Sequence, residues 1–457
     1  MGLFSYLTTN VVNSCLFNKR AMLFVLFTSS QVSVAAENKL TLQHAIDLAI
    51  SSDLWHVSAN LKQQSLLKRS EVANSFANPK VSLEMANLPT DTWQFDQEAM
   101  SQIKLGVSQQ IPRGDVLKIK QHSLALQANK YPVLGRLRNA KVSLTVSELW
   151  LDAFTAQSKI ALITKDMSLF EQMVDITKAN YASVVGNTRQ QDVIRAQLEL
   201  VQLEDKLNQQ QQRYRLALDK LQQWLNHSIQ PAIAPVEQER LIQTLSQKLS
   251  HYTGNPLATK PGVYQMLQSH PELQVFDIEQ QVSKLEVEKQ EQSFKPKWSV
   301  KASYGYRQDD PLNQSRADLF SVGVSVDVPL FSNDQINNEV AAAKASASAI
   351  KTDRALTMRG LYAGFTSQLG QYQLLLKRRA LFEDGLLNQV HEQAEAALTA
   401  YTNDDGSFAE VVSARMTELN TKLNAVSIHN ELAKSLVRLN YYLPATSNSV
   451  KGHTYVQ

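Results

Sequence analysis

An internal duplication is the feature that most constrains the fold of this chain. A shift of 217 residues places residues 79–83 (PKVSL) on residues 296–300 (PKWSV). A shift of 218 residues places residues 192–194 (DVI) on residues 410–412 (EVV). Because these matches keep one order over most of the chain, we infer two copies of one structural unit.

Each unit contains two stretches in which apolar and polar residues alternate strictly, within residues 79–112 and 296–330. Alternation over about 10 residues is typical of membrane-barrel strands, with one face toward lipid and the other toward water. A half-buried hairpin packed on a helix would show the same pattern, but the rest of the chain supplies no separate apolar domain to cover these faces. The expected lipid-facing residues are Val81, Leu83, Met85, Ile103, Leu105, Val107, Trp298, Val300, Tyr304, Phe320, Val322, Val324 and Val326.

The remaining segments predict long helices with coiled-coil seams. Proline is absent from residues 133–230 and 330–443, and apolar residues recur there at alternating spacings of three and four. Residues 37–262 form the first repeat and residues 263–443 the second. The predicted elements are helix 40–78, hairpin 79–112, long helices 113–227 and an equatorial linker 228–262, then helix 263–295, hairpin 296–330, long helices 331–442 and a C-terminal tail 444–457.

The N-terminal residues predict an export signal. Residues 1–36 contain no acidic side chain, and Lys19 and Arg20 precede a short apolar run and a small-residue site. The run is shorter than the roughly 20 residues of a membrane-spanning helix, so we expect a signal peptide over residues 1–36 that is cleaved before Glu37. The only cysteine, Cys15, lies inside it.

Charge and composition exclude several classes of protein. Loss of Lys19 and Arg20 lowers the formal net charge from +3 to +1, which gives no electrostatic case for nucleic acid. The nine histidines show no metal-ligand spacing, and we find no phosphate-binding loop or nucleophile elbow. We therefore expect no enzyme activity, no cofactor and no permanent metal site.

Four strands imply an oligomer. The smallest membrane barrels use about eight strands, so a monomer would leave open edges in lipid. Several copies must therefore share one barrel, and these patterns alone allow two, three or four.

The order of these elements resembles the TolC family of outer-membrane efflux proteins over residues 38–443. The resemblance is carried by the opening at residues 40–42 (LTL), the strand exit at residues 107–112 (VSQQIP), its repeat at residues 328–331 (VPLF) and the sequence from Gly186 to Ala196. The sequence departs from the family pattern near the second tip turn, where Asp404 stands at the glycine position and Gly406 follows two residues later.

The resemblance implies a mainly α fold with a membrane β-barrel portion. The protein would be a homotrimer with a 12-stranded barrel in the outer membrane and a helical tunnel in the periplasm. Its partners would be outer-membrane lipid, a periplasmic membrane-fusion adaptor and an inner-membrane pump, which we expect to be of the RND type. Short interstrand loops favour the heavy-metal cation branch (CzcC- and CusC-like), with a multidrug or type I secretion duct as the alternative.

The expected gate lies at the periplasmic tip. Asp192 and Glu410 occupy matching places where the returning helices begin, with Asp404 and Asp405 nearby and Gly186 and Gly406 in the tip turns. A ring of carboxylates would attract cations. Acidic residues in the first turn of a helix are also favoured by the helix dipole alone, so the position has a second explanation.

Two other functions remain open at this point. A periplasmic coiled-coil adaptor would account for the signal and the helical seams, but it leaves the duplicated hairpins without a purpose. A periplasmic hydrolase would need catalytic residues that the sequence does not provide. The sequence therefore favours a passive exit duct.

Overall fold

The computed structural model describes residues 40–182, 189–225, 238–253, 260–312, 314–403 and 405–443. Several predicted features fall outside these residues, namely the signal peptide of residues 1–36, the tail of residues 444–457, Gly186 and Asp404.

The first repeat begins with two helices where the sequence predicts one helix over residues 40–78. Helix α1 spans Leu42–Ser51 and helix α2 spans Leu54–Ala73. The break occurs at Asp53, whose Oδ1 accepts a hydrogen bond from the backbone N–H of Trp55 at 3.0 Å. Asp53 therefore caps a new helix start.

The strands form one open antiparallel sheet, as the alternating pattern predicts. Strand β1 spans Lys80–Ala86, β2 spans Gln102–Ile111, β3 spans Lys297–Tyr306 and β4 spans Leu319–Asp327. Their order in the sheet is β1-β2-β3-β4, so the two hairpins lie side by side through the β2–β3 pairing. Strands β1 and β4 each leave one edge unpaired within the described chain.

A long helix and a half-length helix follow the first hairpin. Helix α3 spans Val116–Ala182 and continues through Pro132. Its 67 residues correspond to about 100 Å. Helix α4 spans Gln190–Leu225 and packs against α3 along the coiled-coil seam.

The segment predicted as an equatorial linker contains helix. Helix α5 spans Gln238–Thr253, because the apolar residues Leu241, Ile242, Leu245 and Leu249 recur at helical spacing between proline-rich flanks. The helix predicted over residues 263–295 is also divided, into α6 (Lys260–Gln268) and α7 (Pro271–Glu291). His270 caps α7, and Pro271 stands at its first position, where a missing N–H costs nothing.

The second repeat has the same plan with one irregularity. Helix α8 spans Asn333–Leu381, a π-helical turn spans Phe382–Leu386, and helix α9 continues over Leu387–Thr402. Helix α10, Phe408–Tyr442, returns alongside them. The mainly α fold with four strands is therefore confirmed.

Two apolar cores hold the helices together. The larger core is centred on fully buried Trp150, whose indole N–H donates to the backbone carbonyl of Leu40 at 3.1 Å. The smaller core joins α3, α4 and α10 near the tip and includes Phe170, Leu203 and Leu419. The tip therefore has its own packing unit, separate from the sheet.

Candidate functional site

The first candidate region is the apolar face of the sheet. The register places Leu83 opposite Leu105, and Leu105 opposite Tyr304. Tyr304 in turn lies opposite Phe320, so one face is apolar across all four strands. All thirteen residues expected to face lipid are exposed, from 38% for Ile103 to 73% for Leu83. An apolar face this extensive and uncovered marks a surface that meets lipid or another protein.

The opposite face of the sheet is polar or small. Cross-strand neighbours there include Glu84 with Lys104 and Ser82 with Gly106. The residues of this face on the second hairpin include Ser299, Lys301, Ser303, Ser321, Gly323 and Ser325. This is the composition of a water-facing barrel interior.

The second candidate region is the pair of helix starts at the tip. Asp192 lies in the first turn of α4, and its Oδ2 accepts a hydrogen bond from the backbone N–H of Arg189 at 3.0 Å. The carboxylate therefore satisfies one of the amide groups that a helix start leaves unpaired. Helix capping alone therefore explains why an acidic residue stands at position 192.

Glu410 repeats this geometry in the second unit. Ser407 Oγ accepts from the backbone N–H of Glu410 at 3.3 Å, and Glu410 Oε2 accepts from the backbone N–H of Ser407 at 3.5 Å. The two bonds form a capping box. The duplication predicted from the sequence therefore extends to the hydrogen bonds at the tip.

Asp405 and Gly406 lie in the turn before α10, a few residues ahead of Glu410 in the sequence. The Asp405 side chain is exposed. A Cβ at position 406 would lie 3.0 Å from both Ala400 Cβ and the backbone N of Tyr401, which explains a glycine here. Arg415, the basic residue nearest to Glu410 in the sequence, pairs with Glu395 at 2.7 Å and with Glu418 at 2.9 Å rather than with the tip carboxylates.

Sequence reasoning missed a buried charge cluster between α9 and α10. Glu418 is only 4% exposed and accepts hydrogen bonds from Arg415 and His391, while Lys422 Nζ lies 2.9 Å from its Oε1. Burial alone would raise the pKa of Glu418, but the bonds from Lys422, His391 and Arg415 outweigh it and lower that pKa to about 2. Arg415, Glu418 and Lys422 share one side of α10 at ordinary helical spacing, and only the packing of α9 against α10 adds His391 and buries Glu418.

The π-helical turn is a second missed feature. Its Glu383 bonds Arg379 Nε at 3.0 Å and lies 3.0 Å from His429 Nε2 on α10. π-helical turns interrupt the regular hydrogen-bond ladder and recur at functional sites. Here the π-helical turn separates α8 from α9, and its Glu383 contacts His429 on the neighbouring helix α10.

Two negative findings apply to the described residues only. In that part of the chain, no group of three or more histidine, cysteine, aspartate or glutamate side chains could hold a metal ion. No helix described by the structure is long and apolar enough to cross a membrane.

Comparison with solved structures shows what the fold is similar to. The chain aligns with CusC with a TM-score of 0.71 at 12% identity, covering 88% of this chain and 92% of CusC. The outer membrane protein VceC of Vibrio cholerae aligns with a TM-score of 0.66 at 14% identity, covering 88% and 95%. The MtrE outer membrane channel of Neisseria gonorrhoeae aligns with a TM-score of 0.68 at 13% identity, covering 88% of both chains.

Sequence comparison adds the family. No curated protein is significantly similar in sequence to this chain. Residues 262–443, which coincide closely with the second repeat, match the family described as "Outer membrane efflux protein". The second repeat is therefore similar to outer-membrane efflux proteins in sequence, and most of the chain shares the fold of the solved structures CusC and VceC.

Proposed function

We propose that three copies of the chain form the passive exit duct of a tripartite efflux system. The observation that carries this proposal is the open four-stranded sheet, which has one wholly apolar face and two unpaired edges. Neither feature is stable in a single copy, because unpaired strand edges in lipid cost several kcal/mol per backbone group. Three copies supply 12 strands, which is enough for a water-filled barrel.

Exposed apolar stripes on the helices support self-association. On α2, Leu54, Val57 and Leu61 lie on one side of the helix and are 58% to 79% exposed. On α4, the residues Ile194, Leu198 and Val201 repeat the pattern. These stripes belong to the same chain as the open sheet edges, so a neighbouring copy is the occupant that would cover both.

The energy for transport would come from partners. We propose that a periplasmic adaptor and an inner-membrane pump, which we expect to be of the RND type, engage the tip. Asp192, Glu410 and Asp405 would then lie at the entrance, together with Asp404, and attract cations there. The support for this role is that Asp192 and Glu410 occupy matching positions in the two repeats. Their capping bonds alone would explain why these two positions are acidic.

The cargo hypothesis from the sequence is a heavy-metal cation. The acidic tip favours this hypothesis. The fold does not distinguish one class of cargo from another, because CusC, VceC and MtrE are all similar to this chain. A deletion strain tests this directly. Increased sensitivity to metal cations supports the cation hypothesis, and new sensitivity to dyes or drugs with unchanged metal tolerance supports the multidrug alternative.

Membrane fractionation tests the duct itself. We expect the protein to remain in the outer-membrane fraction after a high-salt wash. In detergent it should run as an oligomer that dissociates into monomers only on heating. A periplasmic adaptor would be washed off and would run as a heat-insensitive monomer, which would refute the duct.

A further inference from the structure

The polar face of the sheet carries two lysines without acidic partners. Lys80 lies opposite Ser108, Ser108 lies opposite Lys301, and Lys301 lies opposite Gly323. This transverse line of residues, called the lysine row below, crosses all four strands. It contains two positive charges and no negative charge.

Other lysines of this face have an acidic residue directly opposite them in the strand register. Lys104 lies opposite Glu84, and Lys297 lies opposite Asp327. By contrast, no acidic residue lies opposite Lys80 or Lys301, whose cross-strand neighbours are Ser108 and Gly323. Both side chains are exposed on the polar face, where water would surround them.

Acidic residues at the two ends of the sheet do not cancel this charge. The loops beyond Ala86 and Tyr306 are rich in aspartate, but six residues of strand separate Lys80 from Ala86, which corresponds to about 20 Å. That distance exceeds the Debye length of about 8 Å at physiological ionic strength. At the helical end, Asp327 already bonds Arg113 at 2.9 Å.

We propose that Lys80 and Lys301 of three copies form a belt of six lysines in the barrel lumen that attracts and binds anionic solutes. This inference rests on the proposed trimeric duct and names the form of cargo that its barrel favours: molecules that carry carboxylate or phosphate groups. Rings of charged side chains set ion preference in pores, and lysine is a common phosphate ligand. A metal ion would pass this belt most easily as an anionic complex.

A single cysteine can measure the potential at the belt. Ser108 lies between the two lysines in the register, and Cys15, the only native cysteine, lies within the predicted signal peptide. We would introduce Ser108→Cys into the full chain and label it in outer membranes with an anionic (sulfonate) or a cationic (trimethylammonium) methanethiosulfonate. These reagents enter through the mouth of the barrel, so the state of the tip does not matter.

The expected result is faster labelling by the anionic reagent, after division by each reagent's rate with a free thiol. A local potential of about one kT gives a preference of roughly sevenfold between reagents of opposite charge. The preference should disappear in the background Lys80→Gln/Lys301→Gln. It should persist in the matched background Glu84→Gln/Lys104→Gln, which removes one charge of each sign per copy.

Three results would overturn the belt: no preference for the anionic reagent, equal preference in all backgrounds, or no labelling of Ser108→Cys by either reagent. Each can be separated from a failure of the duct proposal. If the heat-sensitive oligomer is present while the preference is absent, only the belt is wrong. If the oligomer itself is absent from the wild-type protein, the proposed duct is wrong, and the belt falls with it.

Discussion

The tip and the barrel use charged side chains in different ways. At the tip, Asp192 and Glu410 each accept a hydrogen bond from a backbone amide at the start of their helices. On the polar face of the sheet, the cross-strand neighbours of Lys80 and Lys301 are Ser108 and Gly323, and within the described part of the chain no carboxylate pairs with either lysine. The comparison shows that the position of a charge near a channel end is weak evidence of a role until its local bonds are known.

The largest expected effect concerns the two faces of the barrel. Leu105→Arg places a charge at the centre of the apolar face, between Leu83 and Tyr304. Arginine at the middle of a lipid-facing strand costs about 2–4 kcal/mol. We expect the heat-sensitive oligomer to be nearly lost on an unheated gel.

Ser303→Arg is the matched control, since Ser303 lies on the polar face of the neighbouring strand. It should assemble close to normally. Equal loss of oligomer for the two variants would contradict the assignment of the faces.

The second prediction tests whether the tip depends on its buried charges. Glu418→Gln leaves Arg415, which is largely buried, with Glu395 as its remaining carboxylate partner and removes the charge that Arg415, Lys422 and His391 share. We expect a loss of about 2 kcal/mol in the stability of the tip, less than for a fully buried pair because Lys422 and His391 remain partly exposed. Amide hydrogen exchange of α10 measures it, with exposed Glu204→Gln as the control.

The carboxylate of Glu418 also predicts how the stability of the tip depends on pH. The pKa of Glu418 is lowered from its ordinary value of 4.5 to about 2 in the folded protein. Its stabilising contribution is therefore complete above about pH 4.5 and is lost as the pH falls toward 2. Protection factors of the α10 amides, which remove the intrinsic pH dependence of exchange, should fall over this window in the wild type, and Glu418→Gln should flatten the change. An unchanged slope in the variant would argue against this cluster.

A third prediction concerns the junction where the barrel meets the tunnel. Gly114 follows the exit of β2 with a φ of +48°, and an added Cβ would lie 2.3 Å from Gln292 Oε1. Gly114→Ala should cost about 1–2 kcal/mol, because a side chain strains this backbone region. Thermal melting of the purified oligomer checks this, and Gly323→Ala, which has open space around it, should melt like the wild type.

The smallest effect separates the two explanations of the tip acids. Asp192→Ala should cost about 0.5–1 kcal/mol through the lost capping bond, whereas Asp192→Asn should keep most of that stability. If Asp192 also attracts cations, both variants should weaken block of single-channel current by a trivalent cation added on the tip side. Unchanged block in both would leave capping as its only role.

The sequence predicts the sheet better than the helical interruptions. Strict alternation fixes which side of each strand is apolar, so residues such as Leu83 and Phe320 could be assigned without coordinates. The breaks at Asp53 and Pro271 were missed although both residues are recognisable helix starts, because the long-helix pattern continues across them. The burial of Glu418 and the π-helical turn could not be predicted, because Arg415, Lys422 and Arg379 stand at ordinary helical spacing. Only packing between α10 and the helix beside it adds His391 to Glu418 and His429 to Glu383.

Copy number tests the central claim most directly, because every role assigned to the sheet depends on a closed barrel. Native mass spectrometry of the protein extracted from outer membranes in detergent should give a particle of three chains, each lacking residues 1–36. A stable particle of one, two or four chains would contradict the account.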